Sequence, residues 1–304
     1  MNKELTKKLS SGHATCQGCG IPAIVRHVLA STDEPVIVAN ATGCLEVTTT
    51  IYPYTAWKVP YIHSVFGNAA ATASGIDAAQ KALVRSGKLP KGKKAKIVCF
   101  GGDGGTYDIG LQALSGALER GHDFLYVCYD NGGYMNTGGQ RSGATPYGAN
   151  TETAPAGVES FGKSQQRKDL MDIVNAHGIK YLAQTNVAFV NDLKKKAKKA
   201  LETPGPSFLL VLQPCTQIWK YPTSEYVAVG KLATETNFWP LYEIEDGKYT
   251  INNVVKNPKP IEEFLKVQGR FKHLFSDKNK DVIVDIQKTV NANWEKLAKK
   301  AQIG

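Results

Sequence analysis

Two short stretches of this sequence carry residue types suited to a hard cation and an anion. The apolar run Lys96 to Phe100 ends in Gly101-Gly102-Asp103-Gly104-Gly105, and a helix-like segment follows directly. Glycines at a strand-to-helix turn admit a phosphate close to the backbone, and a helix N-terminus favours its charge. The pattern G-x-G-x-x-G is not satisfied, because Tyr107 stands at its last position, and no G-K-[ST] follows for a P-loop. An aspartate between the glycines would repel a diphosphate unless a divalent cation lay between them, so Asp103 reads as a Mg²⁺ ligand. The next strand-like run ends in Asp130-Asn131-Gly132-Gly133. In a parallel sheet neighbouring strand ends lie side by side, which lets the Asn131 amide oxygen and the Gly133 carbonyl complete the same coordination. The competing interpretation makes Asp103 a helix cap and Asn131 a turn residue, with no ion at all.

The cysteines form a second constellation. Cys16 and Cys19 share a glycine-rich loop, Cys44 follows a strand in Ala41-Thr42-Gly43-Cys44, and Cys215 follows Pro214 after another strand. Cys99 and Cys128 lie inside apolar runs, where cysteine acts as a small buried hydrophobe. Four loop thiolates hold either a tetrahedral Zn²⁺ or a 4Fe-4S cluster, while a lone C-x-x-C also suits a redox pair. Structural zinc usually takes compact paired motifs. Here 24 residues separate Cys19 from Cys44 and 170 separate Cys44 from Cys215, and a cluster beside an electron-generating cofactor has a purpose that zinc lacks.

The elements that must position these residues follow from an alternation of β-branched runs with helix-like segments, which predicts an α/β fold with a mainly parallel sheet flanked by helices. Strands are predicted over Val36 to Asn40, Lys96 to Phe100, Phe124 to Asp130, Tyr181 to Thr185 and Phe208 to Leu212. Helices are predicted over Pro22 to Ala30, Ala69 to Arg85, Tyr107 to Arg120, Lys168 to His177 and Ala188 to Glu202. Residues 1–225 read as the binding domain and 226–304 as a C-terminal arm, without a core of its own, that packs on the main domain or a partner. Within this tail, Ile218 to Gly230 reads as loop, Tyr242 to Ile251 as a polar hairpin, and Ile261 to Val267 and Val282 to Lys299 as helices.

The 304 residues carry 37 Lys+Arg against 27 Asp+Glu, a net +10, which suits nucleic acid, acidic protein partners or phosphorylated ligands. No helix-turn-helix, zinc-finger or RNP motif is present, so nucleic-acid binding is not expected. Lys194, Lys195, Lys196, Lys198 and Lys199 share a helix with apolar Phe189, Leu193, Ala197 and Leu201 and read as a solvated face. No apolar run approaches the ~20 residues that span a bilayer. The start, Met1 to Ser11, lacks the apolar core of a secretory signal, so the expected location is the cytoplasm, where free thiols stay reduced.

Gly102-Asp103-Gly104, then 26 residues, then Asn131 resembles the thiamine diphosphate motif. Together with the four cysteines, Tyr134-Met135-Asn136-Thr137-Gly138-Gly139-Gln140 and Ala144-Thr145-Pro146, the sequence resembles the β subunits of 2-oxoacid:ferredoxin oxidoreductases, most of all those acting on pyruvate. The likeness runs from Gly12-His13 through Tyr221-Pro222 and includes Gln268-Gly269-Arg270-Phe271-Lys272. It implies a thiamine diphosphate-binding fold, with Cys16, Cys19, Cys44 and Cys215 on one 4Fe-4S cluster and Asp103, Asn131 and the Gly133 carbonyl on Mg²⁺. It places Thr42, Gly43, Cys44, Gly102, Gly104, Asn136 and Thr137 against the cofactor, with Asn136 in catalysis.

The implied reaction is oxidative decarboxylation of a 2-oxoacid, pyruvate first and oxalate or another 2-oxoacid as alternatives. Coenzyme A takes the acyl group, and it would be unnecessary for oxalate. Electrons leave through the cluster to ferredoxin. Partner α, γ and δ subunits are implied, the α subunit or domain carrying the activating glutamate and the arginine for the substrate carboxylate; the spacing of Glu46 does not assign it the former role. Ile21 departs from the acidic residue of some single-chain members. His13 and His63 read as structural hydrogen-bonding histidines. Two rivals remain: a non-redox thiamine diphosphate decarboxylase with structural zinc, and a zinc-stabilised electron-transfer or assembly module that is no enzyme.

Overall fold

Strands form where β-branched and aromatic residues run together. The computed structural model describes residues 3–302 and shows β1 (Val36–Ala41), β2 (Tyr61–Ser64), β3 (Lys96–Gly102), β4 (Leu125–Asp130), β5 (Tyr181–Asn186), β6 (Ser207–Leu212), β7 (Tyr242–Glu245) and β8 (Lys248–Ile251). They make one sheet in the order β2-β1-β3-β4-β6-β5-β7-β8. The first six are parallel; β7 pairs antiparallel with β5, and β8 with β7. Central strands are apolar throughout because alternate side chains enter two different cores. Val36, Val38, Val98, Phe100 and Val127 face one, whereas Ala39, Ala41, Ile97, Cys99 and Cys128 face the other.

Helices cover both faces. Helices α1 (Ile21–Leu29) and α6 (Val190–Glu202) close the first core; α3 (Ala69–Arg85) and α4 (Leu111–Glu119) cover the second. Short α2 (Cys44–Thr49) and α5 (Leu170–Asn175) sit between strands, and α7 (Tyr226–Glu235), α8 (Ile261–Lys266) and α9 (Lys280–Lys300) follow the sheet's sixth strand. Trp239, Ile244, Phe264, Phe271 and Leu274, all from the last third of the chain, are buried in the second core.

Three expectations need correction, and one strand, β2, is not among those predicted. The stretch Ile218 to Gly230 is not loop throughout: α7 begins at Tyr226 and buries Val229 and Ala233, with Gly230 letting it approach Ala188. Edge strand β2 is too short and too exposed to show a buried pattern. The helix expected from Tyr107 is interrupted: a π-helical turn over Gly104–Asp108 precedes α4, and Gly110 permits the tight approach, since a Cβ there would lie 1.9 Å from the Gly105 carbonyl oxygen. The lysine-rich face of α6 is solvated only in part. Lys196 is 1% exposed and donates to the Gln184 carbonyl and to Asp192 Oδ2, both at 2.9 Å.

Helix α9 is tied to α5 by Lys296 and Lys300, whose ammonium groups stand 2.6 and 2.5 Å from the Asp172 carboxylate. Burial opposes ionisation of Asp172, but the two lysines bring it down to about 2. Its folded value lies below the unfolded value of about 3.9, so the ion pair's contribution is present above pH 4 or so and is lost as pH falls through about 2. Discounted for solvent screening, Asp172→Asn is expected to cost about 1 kcal/mol at pH 7. Urea unfolding of the variant and the parent should converge as the pH approaches 2.

Candidate active site

Four adjacent strands, β1, β3, β4 and β6, carry Cys44, Asp103, Asn131 and Cys215 just past their carboxyl ends. Open parallel sheets bind ligands beyond the carboxyl ends where the strand order reverses. Here β2 lies on one side of β1 and β3 on the other, so the reversal falls at the Thr42 and Asp103 loops. A cleft of about 150 Å³ opens there. It brings together all ten residues assigned to the cofactor, from Thr42, Gly43 and Cys44 to Asn136 and Thr137, with Phe66, Gly105, Tyr129, Tyr134 and Met135 completing the wall. Asn136 and Thr137 stand exposed at the rim.

Close backbone approach shapes the floor. A Cβ on Gly104 would lie 2.4 Å from the Tyr134 ring, whose hydroxyl donates to the Gly104 carbonyl at 3.1 Å and ties the two loops together. Gly132, at φ +73°, turns the chain between Asn131 and Gly133, a conformation that glycine adopts without strain.

Three oxygens converge on the floor. The Asn131 side-chain oxygen lies 2.8 Å from Asp103 Oδ1 and 3.0 Å from the Gly133 carbonyl, while its nitrogen donates to Gln213 Oε1 at 3.2 Å. Turning the amide over would satisfy Asp103 and Gly133 but press its oxygen against Gln213 Oε1, and Gln213 is itself anchored by its donation to the Pro214 carbonyl at 2.6 Å. Oxygens this crowded repel one another unless a proton or a cation sits among them, and as a ligand set an all-oxygen group suits Mg²⁺. Among the described residues no group of three or more His, Cys, Asp or Glu is placed to hold a metal ion; this set draws instead on one carboxylate, one amide and one backbone carbonyl.

The electrostatics point the same way. Asp103 is 1% exposed, and burial followed by the charge of Asp130 pushes its carboxyl up to about 8. Ser142 donates to Asp103 Oδ2, and the Asn131 backbone N–H donates to Oδ1 at 3.3 Å. Asp130 is compensated from behind: Arg167 Nη2 lies 2.6 Å and the Tyr107 hydroxyl 2.7 Å from its Oδ2, and the Gly132 amide donates to its Oδ1 at 3.1 Å. This locks the Asn131 to Gly133 turn. The Asn131 carbonyl accepts from Trp219 Nε1 at 2.7 Å.

The four loop cysteines lie within electrostatic reach of one another, with Cys44 in the cleft wall, whereas Cys99 and Cys128 are buried in β3 and β4. Burial and the charges of the other cysteines push the Cys19 and Cys44 thiols up to about 12, and burial raises Cys215. Backbone N–H groups face the sulfurs, that of Ile21 toward Cys19 and those of Gln217 and Ile218 toward Cys215. Thr216 Oγ1 donates to the Gln17 carbonyl at 3.1 Å and joins the first and last of these loops.

Among the other candidates, His63 Nε2 is 2.6 Å from Thr42 Oγ1, and its Nδ1 lies 3.7 Å from Glu46 Oε1. His13 bonds Thr15 Oγ1 at 2.8 Å. Sequence reasoning missed Ser142, Arg167, Tyr107 and Tyr129. Ser142 and Arg167 come from the long irregular stretch after β4, where no periodicity marks a residue, and only the unpaired carboxylates of Asp103 and Asp130 signalled a need for them.

The thiamine pyrophosphate enzyme C-terminal TPP-binding domain matches residues 41–211, which span both strand-end loops. Pyruvate synthase subunit PorB of Thermotoga maritima is 51% identical over 303 residues, covering 97% of this chain and 93% of that one. PorB of Methanocaldococcus jannaschii is 52% identical, covering 86% and 88%. Ketoisovalerate oxidoreductase subunit VorB of Pyrococcus abyssi is 46% identical, covering 96% and 93%. Among solved structures, 2-oxoglutarate:ferredoxin oxidoreductase from Magnetococcus marinus shares the fold, with a TM-score of 0.60 over 93% of this chain and 96% of that one at 21% identity. Identity at this level over nearly whole chains, on a sheet whose carboxyl edge forms the cleft, means that the chain belongs to the thiamine pyrophosphate enzymes and, among them, to the 2-oxoacid:ferredoxin oxidoreductase β subunits.

Proposed function

We propose that this subunit holds thiamine diphosphate through Mg²⁺ on Asp103, Asn131 and the Gly133 carbonyl, beside a 4Fe-4S cluster on Cys16, Cys19, Cys44 and Cys215, and that it serves oxidative decarboxylation of pyruvate. Coenzyme A takes the acyl group and ferredoxin the electrons. The observation that carries this is the position of Cys44: it lines the cleft and also belongs to the thiol group, so a hard oxygen site and a soft sulfur site share a wall. Thiamine diphosphate, when bound, supplies the electron sink that lets a 2-oxoacid lose CO₂, and the cluster supplies one-electron transfer.

The chain's own residues position and shield. Asp103 and Asn131 fix the cation, Ser142 orients Asp103, and Arg167 neutralises Asp130 behind them. Asn136, at the rim, is the side chain of this subunit that faces the substrate end. The rim offers Val65, Phe66 and Ile109, which are 66%, 39% and 53% exposed and adjoin where Gly67 meets the Ile109 backbone. Exposed apolar residues at the mouth of a cleft mark an interface, and here the α subunit would bring the activating glutamate and substrate arginine. The γ and δ subunits complete the complex, in the cytoplasm.

Pyruvate is supported by the PorB relatives; VorB shows that the family also includes a ketoisovalerate enzyme. The test is ferredoxin reduction by the purified complex with a panel of 2-oxoacids, with and without coenzyme A. Pyruvate and coenzyme A should give the highest kcat/KM. A higher value with oxalate or a branched 2-oxoacid would reassign the substrate, and CO₂ release without reduction by an iron-free protein would make it a decarboxylase with zinc. Ser142→Ala, which removes the orienting bond on Asp103 and the acceptor of the Ala144 N–H, is expected to weaken Mg²⁺ binding about tenfold. Calorimetric titration should show it, with thiamine diphosphate affinity unchanged at saturating Mg²⁺.

A further inference from the structure

Two tyrosine hydroxyls and the two terminal nitrogens of an arginine are buried within reach of the loop cysteines without hydrogen-bond partners among the described residues. Tyr221 is 6% exposed, and its hydroxyl lies within the electrostatic reach of Cys215 and Cys19. The Tyr226 hydroxyl, at the start of α7, is sealed from solvent near Cys19 and Tyr221. It rests directly on Gly20, the residue after Cys19, where a Cβ would come within 1.5 Å of the oxygen. Arg270 is 3% exposed and stacks on Trp219 at 3.8 Å, and its Nε donates to Gln268 Oε1 at 2.9 Å. Both of its terminal nitrogens lack partners, and its charge acts on Cys215.

A buried donor left unsatisfied keeps the full penalty of losing its water, and phenylalanine would fill either tyrosine site without that cost. Three such donors around one group of thiols therefore point to an acceptor at that place. Gln213 Nε2 already reaches Cys19 Sγ at 3.9 Å, so Tyr221 and Tyr226 add to a donor on the Cys19 side, while the Tyr129 hydroxyl, also unpartnered among the described residues, lies near Cys44 in the cleft wall and Arg270 Nη1 lies against Gly132.

We propose that Tyr221 and Tyr226 donate hydrogen bonds to the sulfurs of the iron–sulfur cluster, with the Arg270 charge behind them, and thereby raise its reduction potential. This rests on the cluster proposed above. Reduction adds one electron and one negative charge to the cluster, and ferredoxin takes that electron away on re-oxidation. Donors aimed at the sulfurs stabilise the more negative state and so favour uptake of the electron. Tyr221 and Tyr226 are thus positioning residues that act through the cluster.

The test is a potentiometric titration of the anaerobically purified complex, followed by the EPR signal of the reduced cluster, in the parent, Tyr221→Phe, Tyr226→Phe and the double variant. Iron and sulfide content should match the parent. At the parent midpoint, the double variant should show a reduced-to-oxidised ratio about tenfold lower, a shift of about 59 mV for one electron. Pulsed ENDOR after exchange into D₂O supplies a second readout in the parent itself: exchangeable protons coupled to the reduced cluster, fewer of them in the Phe variants. An unchanged midpoint in variants with a full cluster would overturn the proposal, as would the absence of exchangeable couplings in the parent. A parent complex without iron would instead overturn the cluster, and is told apart by metal analysis before any variant is made.

Discussion

Replacing Asp103 with alanine is expected to abolish retention of Mg²⁺ and thiamine diphosphate while leaving the fold intact. The carboxylate is buried, pressed by Asp130, and pushed up to about 8, so in the absence of a cation it burdens the native state. Its removal frees the Ser142 hydroxyl and the Asn131 backbone N–H, which now donate to it, but spares the native state the burial of an acid that burial and Asp130 hold at about 8. Thermal stability of the cation-free protein should therefore fall little or even rise. Loss of an orienting partner typically costs 10–100-fold in metal affinity; loss of the charged ligand itself should exceed that range. Unchanged calorimetric binding of Mg²⁺ and cofactor in Asp103→Ala would show that the oxygen cluster on the floor of the cleft is not the cation site.

The second large effect should separate the cysteines into two classes. Alanine at Cys16, Cys19, Cys44 or Cys215 is expected to lose iron and the cluster's visible absorbance, because each supplies a thiolate from a loop at the carboxyl edge. Alanine at Cys99 or Cys128, both fully buried in strands, should keep both and cost only about 1 kcal/mol for the small cavity. Iron analysis of the purified complexes decides this. Equal loss from Cys99→Ala, or a full complement in Cys215→Ala, would contradict the assignment.

Much of this architecture was legible because local and global preferences agree. Strands β1, β3, β4 and β6 are built on runs of Val, Ile, Leu, Phe and Tyr that a doubly covered parallel sheet requires. The Gly102-Asp103-Gly104 and Asn131-Gly132-Gly133 turns announce themselves by residues that are costly unless a ligand is near. What escaped depends on contacts between distant parts of the chain. Lys196 shares its sequence pattern with its exposed neighbours, yet it lies 1% exposed because the Gln184 carbonyl and Asp192 receive its ammonium group. Helix α7 was hidden behind the aromatic loop that precedes it, and the partners of Asp103 and Asp130 come from residues 39 and 37 positions further along. Tyr221 and Tyr226 look like ordinary core aromatics until their hydroxyls are found without partners.

The most direct measurement is the EPR spectrum of the anaerobically purified complex before and after mixing with pyruvate, with thiamine diphosphate and Mg²⁺ present and no external reductant. The expected result is a reduced 4Fe-4S signal that appears only with the 2-oxoacid and the cofactor, and that fails to appear in Asp103→Ala even though its iron content is full. An iron-loaded complex whose spectrum does not respond to pyruvate or to any other 2-oxoacid would contradict electron transfer from this cleft to this cluster.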